Sequence, residues 1–402
     1  MTGEGVRVTV MGEIADPEHP DLEGRIARQF DAASTPGEVK AGEGPLSLQH
    51  DRLAPGDGHG THIAETIAAN ADGKGVQGVA SGATLDFYDI GAYGTALADV
   101  SENENLERIL GGFATALSDV MRRGESKITT GSFNLEGPAL ISLAPGSLSM
   151  ADVVEIADAG GIDKALAHPA LAGLSPEDQA RLKRAVDVNG GDMSIVAMAL
   201  LSGTPVWNEV AEAVTAYQQA GGVYLVAESN NDFGSDTSAL NALPELAPEV
   251  DRDMWLSVVM VVPEGLTEES TDAEIEAAMG GAYATPLNDC GELAKDYCIT
   301  TPSYNVLSTM TERVAEPGLP LLMDGGRSYQ VFSGHSMGAP MVAAALALME
   351  EFNQREGKVL SMRELVAILK ESAKRDFPGY SPVQHGVGML DVGTALAALA
   401  AR

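Results

Sequence analysis

Short runs of β-branched and other apolar residues recur along this chain, separated by stretches with helical periodicity. Val6–Met11 reads as a buried strand, Ile128–Phe133, Val223–Ala227 and Trp255–Val262 read as strands, and Val76–Val79 and Thr84–Ile90 are strand-like. Ile63–Ala69, Asn105–Arg122, Val206–Gln219, Ala339–Phe352 and Arg363–Ser372 read as helices. Alternation of this kind predicts an α/β fold: a doubly wound, mostly parallel sheet with helices on both faces. Residues 135–205 break the pattern. They are rich in Ala, Leu, Asp and Glu with turns at Gly160-Gly161 and Gly190-Gly191, and read as a helical insertion within one domain spanning 1–402. The stretch after Val262 reads as mixed loop until Tyr329–Phe332.

Composition narrows the partners. The 402 residues, 45% hydrophobic, suffice for one large domain. With 25 Lys+Arg against 58 Asp+Glu the net charge is −33, a surface that repels nucleic acid and anionic membrane. No apolar run approaches the roughly eighteen residues of a membrane span, so no membrane contact by this chain is expected. The start, Met1-Thr2-Gly3-Glu4-Gly5-Val6, has no basic-then-apolar export signal. The two cysteines, Cys290 and Cys298, suit either a small disulfide loop of an oxidising compartment or two unpaired thiols, and are too few for structural zinc.

Two segments carry chemistry. Gly334-His335-Ser336-Met337-Gly338-Ala339-Pro340 sets a serine at a helix start, where backbone N–H groups and the helix dipole favour a developing negative charge. Gly58-His59-Gly60-Thr61-His62 sets a histidine in a glycine-flanked turn. Serine becomes a good nucleophile when a histidine accepts its proton. Asn230 ends a strand, and its amide can complete an oxyanion hole. The serine turn also fits the G-x-S-x-G elbow of α/β-hydrolases, in which Ser336, Asp376 and His385 would make an esterase.

In these residues the chain resembles the subtilisin-like serine peptidases, the subtilases. Gly58 to Ala64 reads like the family's histidine signature and Gly334 to Pro340 like its serine signature. His19-Pro20-Asp21-Leu22, Val76-Gln77-Gly78-Val79-Ala80 and Gly386-Val387-Gly388-Met389-Leu390-Asp391 match other family segments in order. The long insertion and the Cys290 to Cys298 loop look like the passenger domains of autotransporter subtilases. The resemblance implies endopeptidase activity with Ser336 as nucleophile, His59 as base and Asn230 in the oxyanion hole. It implies that Ser132-Phe133-Asn134 is an edge pairing with an extended polypeptide substrate. It also implies a monomer that needs no organic cofactor, exported to the periplasm, cell surface or medium. Asp57, two residues before His59, falls in the region shaping the pocket for the residue before the cleaved bond. Asp21 and Asp72 match positions that ligate a structural calcium in many subtilases.

The pattern fails most consequentially at the third member of the triad. The family's triad aspartate falls at Gly12, which cannot orient an imidazole. Glu13 is the nearest substitute, but adjacent strand residues point to opposite faces; Asp16 is the next carboxylate. Either Glu13 substitutes imperfectly or the triad is broken, and the reading favours a strongly impaired peptidase. Its alternative from another class is a catalytically inactive subtilase fold that binds extended peptide. His335, Glu65, Ser229 and Met341 also stand where the family carries other residues.

Overall fold

The computed structural model describes all residues except 33–36, 40–57, 91–102, 136, 141–142, 145, 231–236, 264–282, 285–288 and 313. Its centre is an eight-stranded sheet. The strands are β1 (Arg7–Gly12), β2 (Ile26–Asp31), β3 (Gly37–Val39), β4 (Thr84–Asp89), β5 (Ile128–Gly131), β6 (Val223–Ala227), β7 (Trp255–Met260) and β8 (Cys298–Thr301). They lie in the order β8-β7-β6-β5-β1-β4-β2-β3. Every neighbouring pair is parallel except β2 with β3.

Alternate residues of the central strands enter two cores. Val8, Val10, Leu85, Phe87, Leu225 and Val258 pack under helices α1 (His59–Ala68) and α7 (His335–Arg355). Met11, Tyr88, Tyr224, Val226 and Trp255 pack under α2 (Asn103–Arg123) and α6 (Pro205–Gln219). Burial on both faces is why these strands read as nearly continuous apolar runs. Of the strands, β8 falls in the stretch read as mixed loop, and β2 in a stretch to which the sequence reading gave no element. Val76–Val79, read as strand-like, is not one. Gly78 N–H donates to Ala69 O at 3.1 Å, Val79 N–H to Thr66 O at 3.1 Å and Ala80 N–H to Ile67 O at 2.7 Å. The segment serves the carbonyls at the end of α1 instead of a sheet edge.

Residues 135–205 hold the helices α3 (Met150–Ala157), α4 (Pro176–Val188) and α5 (Ser194–Leu200). Leu148, Val153, Ile156, Leu171, Leu182 and Val196 give them a small core of their own. A second sheet joins β9 (Val306–Thr309), β10 (Leu322–Asp324) and β11 (Arg327–Phe332). Helices α8 (Met362–Ser372) and α9 (Val392–Ala401) complete the α7 side. In a parallel sheet the carboxyl ends of the strands share one edge, where ligand crevices form. Gly12, Gly131, Ala227 and Met260 all end there.

Candidate active site

At the end of β1 the backbone of Gly12 has φ +135°, a region side chains rarely adopt. A Cβ there would lie 3.0 Å from Phe133 Cδ1. The regular pleat stops at this glycine, and the next residue is not bound to the face that alternation assigns it. Glu13, 8% exposed, brings Oε1 into a hydrogen bond with His59 Nδ1. The expectation that Glu13 would point away assumed an unbroken strand. The glycines beside His59 make the approach possible: a Cβ on Gly60 would sit 2.2 Å from Ile14 O and 2.8 Å from Glu13 Cγ, and one on Gly58 2.0 Å from Met310 Sδ. With Nδ1–H donated to a carboxylate, Nε2 is left as the basic nitrogen. Asp16 is committed elsewhere. Its N–H donates to Thr61 Oγ1 at 2.9 Å, and its carboxylate accepts from Glu18 N at 3.1 Å and Thr311 Oγ1 at 2.8 Å.

Ser336 is the second residue of α7. Pro340, four residues on, has no N–H to give the Ser336 carbonyl. Ser132 Oγ donates to that carbonyl instead at 2.9 Å, and Ser336 Oγ donates in return to Ser132 O at 3.0 Å. The candidate nucleophile is thereby stitched to the residue after β5. Asn230, exposed just beyond β6, accepts the His335 N–H on Oδ1 at 3.2 Å. That bond engages Oδ1 and leaves Nδ2 as the donor of the amide. The N–H of Ser336, in the first turn of α7, has no intrahelical acceptor and is the second donor there. His62 ties α1 to the second sheet: its ring stacks on Phe332 of β11 at 4.6 Å and 5°, and its Nε2–H donates to Val306 O of β9 at 3.0 Å.

Several unusual residues prove to be buried props. His335 Nδ1 accepts the Met260 N–H at 2.7 Å, and burial pushes its pKa down to about 3. It is neutral and is no rival base. Burial pushes Glu65 up to about 7; its carboxylate accepts from Thr309 N at 2.8 Å and meets His19 Nδ1 at 3.0 Å. Ser229 N–H donates to Glu228 Oε1 at 2.9 Å, and Ser238 N–H to the same atom at 3.3 Å. Burial pushes Glu228 up to about 7. Pattern reading gave no sign of Glu228, because one carboxylate in an apolar run looks like a strand end.

The remaining sequence candidates fall as follows. Phe133 is buried behind Gly12, and Asn134 Nδ2 donates to Ala227 O at 2.7 Å. The side chains of Phe133 and Asn134 are therefore engaged within the fold. Asp57 lies outside the described residues. Cys290 and Cys298 form a disulfide, with Cα atoms 5.7 Å apart. The Ser336/Asp376/His385 alternative is corrected: Asp376 is exposed, and the buried His385 accepts from Ser381 N at 3.1 Å and sits edge-on to Phe377 within its own segment. Asp21 and Asp72 converge on Arg327, whose guanidinium donates to Asp21 Oδ1, to Asp72 Oδ2 at 2.7 Å and to Lys74 O at 3.3 Å. Tyr329 OH donates to the other Asp21 oxygen at 3.2 Å. Among the described residues, His19, Asp21 and Glu65 place potential metal-ligating atoms within 4.8 Å of one another. Both Asp21 oxygens already have donors, and His19 Nδ1 already accepts from Asp21 N at 3.2 Å. A calcium ion demands six to eight oxygens, so these residues do not fit it.

Comparison with known proteins bears on this geometry. The profile of the family described as "Subtilase family" matches residues 3–120 and 172–389. Fervidolysin of Fervidobacterium pennivorans is 39% identical over 84 residues, 21% of this chain and 11% of that protein. Subtilisin E of Bacillus subtilis (strain 168) is 30% identical over 161 residues, 40% of this chain and 33% of that protein. The chain thus spans a third or less of these relatives. Among solved structures, the crystal structure of fervidolysin superposes with TM-score 0.58 at 18% identity, covering 98% of this chain and 43% of that one. The patellamide maturation protease PatA superposes with TM-score 0.55 at 16% identity, covering 99% and 98%.

Proposed function

This chain belongs to the subtilase family, and we propose that it is a serine endopeptidase in which Glu13 takes the place of the triad aspartate. The observation that carries the proposal is the hydrogen bond between Glu13 Oε1 and His59 Nδ1. In this reading Ser336 Oγ turns from the Ser132 carbonyl to His59 Nε2, which takes its proton as Oγ attacks the scissile carbonyl. Glu13 holds the tautomer and stabilises the imidazolium. The Ser336 N–H and Asn230 Nδ2 receive the oxyanion. His59 then protonates the leaving amine, and water releases the acyl group by the same steps reversed. An extended polypeptide lies along the backbone of Ser132-Phe133-Asn134 as an added strand.

The disulfide supports an exported setting, since such bonds persist where the compartment oxidises. The narrower likeness to autotransporter passenger domains rests on the insertion and the disulfide loop alone. A monomer without an organic cofactor completes the proposal. The engagement of Ser336 Oγ with Ser132 O favours the second reading, an inactive fold that binds extended peptide.

The experiment that separates them is labelling with a fluorophosphonate, followed by mapping of the modified peptide and by turnover of an unstructured protein. Modification at Ser336, with turnover lost in Ser336→Ala and His59→Ala, is expected. A wild-type protein that neither reacts nor turns over, while still binding peptide, would establish the binding-only reading.

A further inference from the structure

Asp21 and Asp72 come from separate segments, the 3-10 turn Pro20–Leu22 and the loop after α1. Asp21 is fully buried. Two carboxylates brought together with a backbone carbonyl would repel one another without a cation among them. The cation present is Arg327. It stands at the start of β11, after the Gly325-Gly326 turn, and its side chain is 12% exposed. One guanidinium nitrogen serves Asp21 and Lys74 O, and the other serves Asp72 at 2.7 Å. The fork of a guanidinium suits this bridging, because its donors diverge in one plane. The space beside the buried Asp21 is filled. Tyr329 OH lies 3.2 Å from Asp21 Oδ2, and a Cβ on Gly75 would fall 1.9 Å from that hydroxyl and 2.8 Å from the same carboxylate oxygen.

We propose that Arg327 is a built-in cation standing where a divalent ion would otherwise join these segments. It makes this corner of the fold independent of calcium. The same side chain ties the loop after α1 to β11, and β11 ends at Phe332, four residues before Ser336. The joint therefore braces the strand that delivers the candidate nucleophile. The replacement trades an ion that can be chelated for a charge that is covalently part of the chain.

The test is thermal unfolding of the full chain in EDTA and in calcium chloride at about 10 mM, above the weak limit of protein calcium sites near 10⁻³ M. Wild type and Asp72→Asn are expected to respond equally to calcium. Arg327→Ala is expected to unfold roughly 4–6 °C lower in EDTA, because it strands a buried carboxylate, and to recover part of that loss in calcium. A wild-type response to calcium that Asp72→Asn abolishes would overturn the proposal by placing the ion at Asp72 despite Arg327. An Arg327→Ala protein as stable as wild type, or indifferent to calcium, would overturn it too. Should Arg327→Ala fail to fold, the comparison of wild type with Asp72→Asn still decides.

Discussion

Gly12 carries no side chain, yet it governs the reach of Glu13 towards His59. A positive φ costs an L-residue about 1–3 kcal/mol where it is forced, and Phe133 occupies the space a Cβ would need. Restoring the family's aspartate is therefore expected to harm this site: Gly12→Asp should lower both Tm and kcat/KM. A Gly12→Asp protein gaining tenfold or more in kcat/KM would show instead that position 12 is a lesion in an aspartate-built site. His59 and Ser336 were legible because glycine on either side of a polar residue leaves a pattern in the sequence. The direction of Glu13 was not, since it depends on one backbone dihedral that the letters do not encode. Asn230 was legible as a polar residue ending an apolar strand. Asn230→Ala should cost about 10²–10³ in kcat, the usual cost of one oxyanion donor, with KM little changed; an unaltered kcat would remove Asn230 from the mechanism.

At the scale of elements, α7 begins four residues earlier than its apolar run suggests, and Pro340 becomes an interior residue. The missing N–H is answered by Ser132 Oγ, from the residue after β5. Ser132→Ala should cost about 1–3 kcal/mol by stranding a buried carbonyl, measurable by denaturant unfolding; a change within about 0.5 kcal/mol would contradict that role. Glu228 links the end of β6 to Ser238 across the segment next to Asn230. Its pKa of about 7 lies above the ordinary 4.5, so the folded chain holds the proton more tightly than the unfolded one. That contribution is complete below pH about 4.5 and is lost as pH rises through about 7. Relative to Glu228→Gln, wild type should lose on the order of 3 kcal/mol across this window; parallel pH profiles would contradict the assignment. The central strands were readable because both of their faces are apolar. The strands β2, with Arg25, Arg28 and Gln29 in or beside it, and β8, half threonine, lie towards the ends of the sheet and lack that signal.

The molecule as a whole carries net charge −33, and self-repulsion of that size opposes compaction. Raising sodium chloride from about 0.05 to 0.5 M shortens the Debye length from roughly 14 to 4 Å and should raise Tm by a few degrees; a fall would mean that attractive pairs outweigh the excess charge. The architecture followed from alternating strand and helix signals, and the residues of 135–205 fold onto a core of their own beside the sheet. What the assembled protein does turns on whether the Glu13 carboxylate works in the company of His59 and Ser336. The most direct measurement is kcat/KM on an unstructured protein for wild type and Glu13→Gln, with equal folding checked by circular dichroism. The account predicts measurable wild-type turnover, lost wholly with Ser336→Ala and reduced about 10³–10⁴-fold with Glu13→Gln. Equal rates for wild type and Glu13→Gln would contradict it.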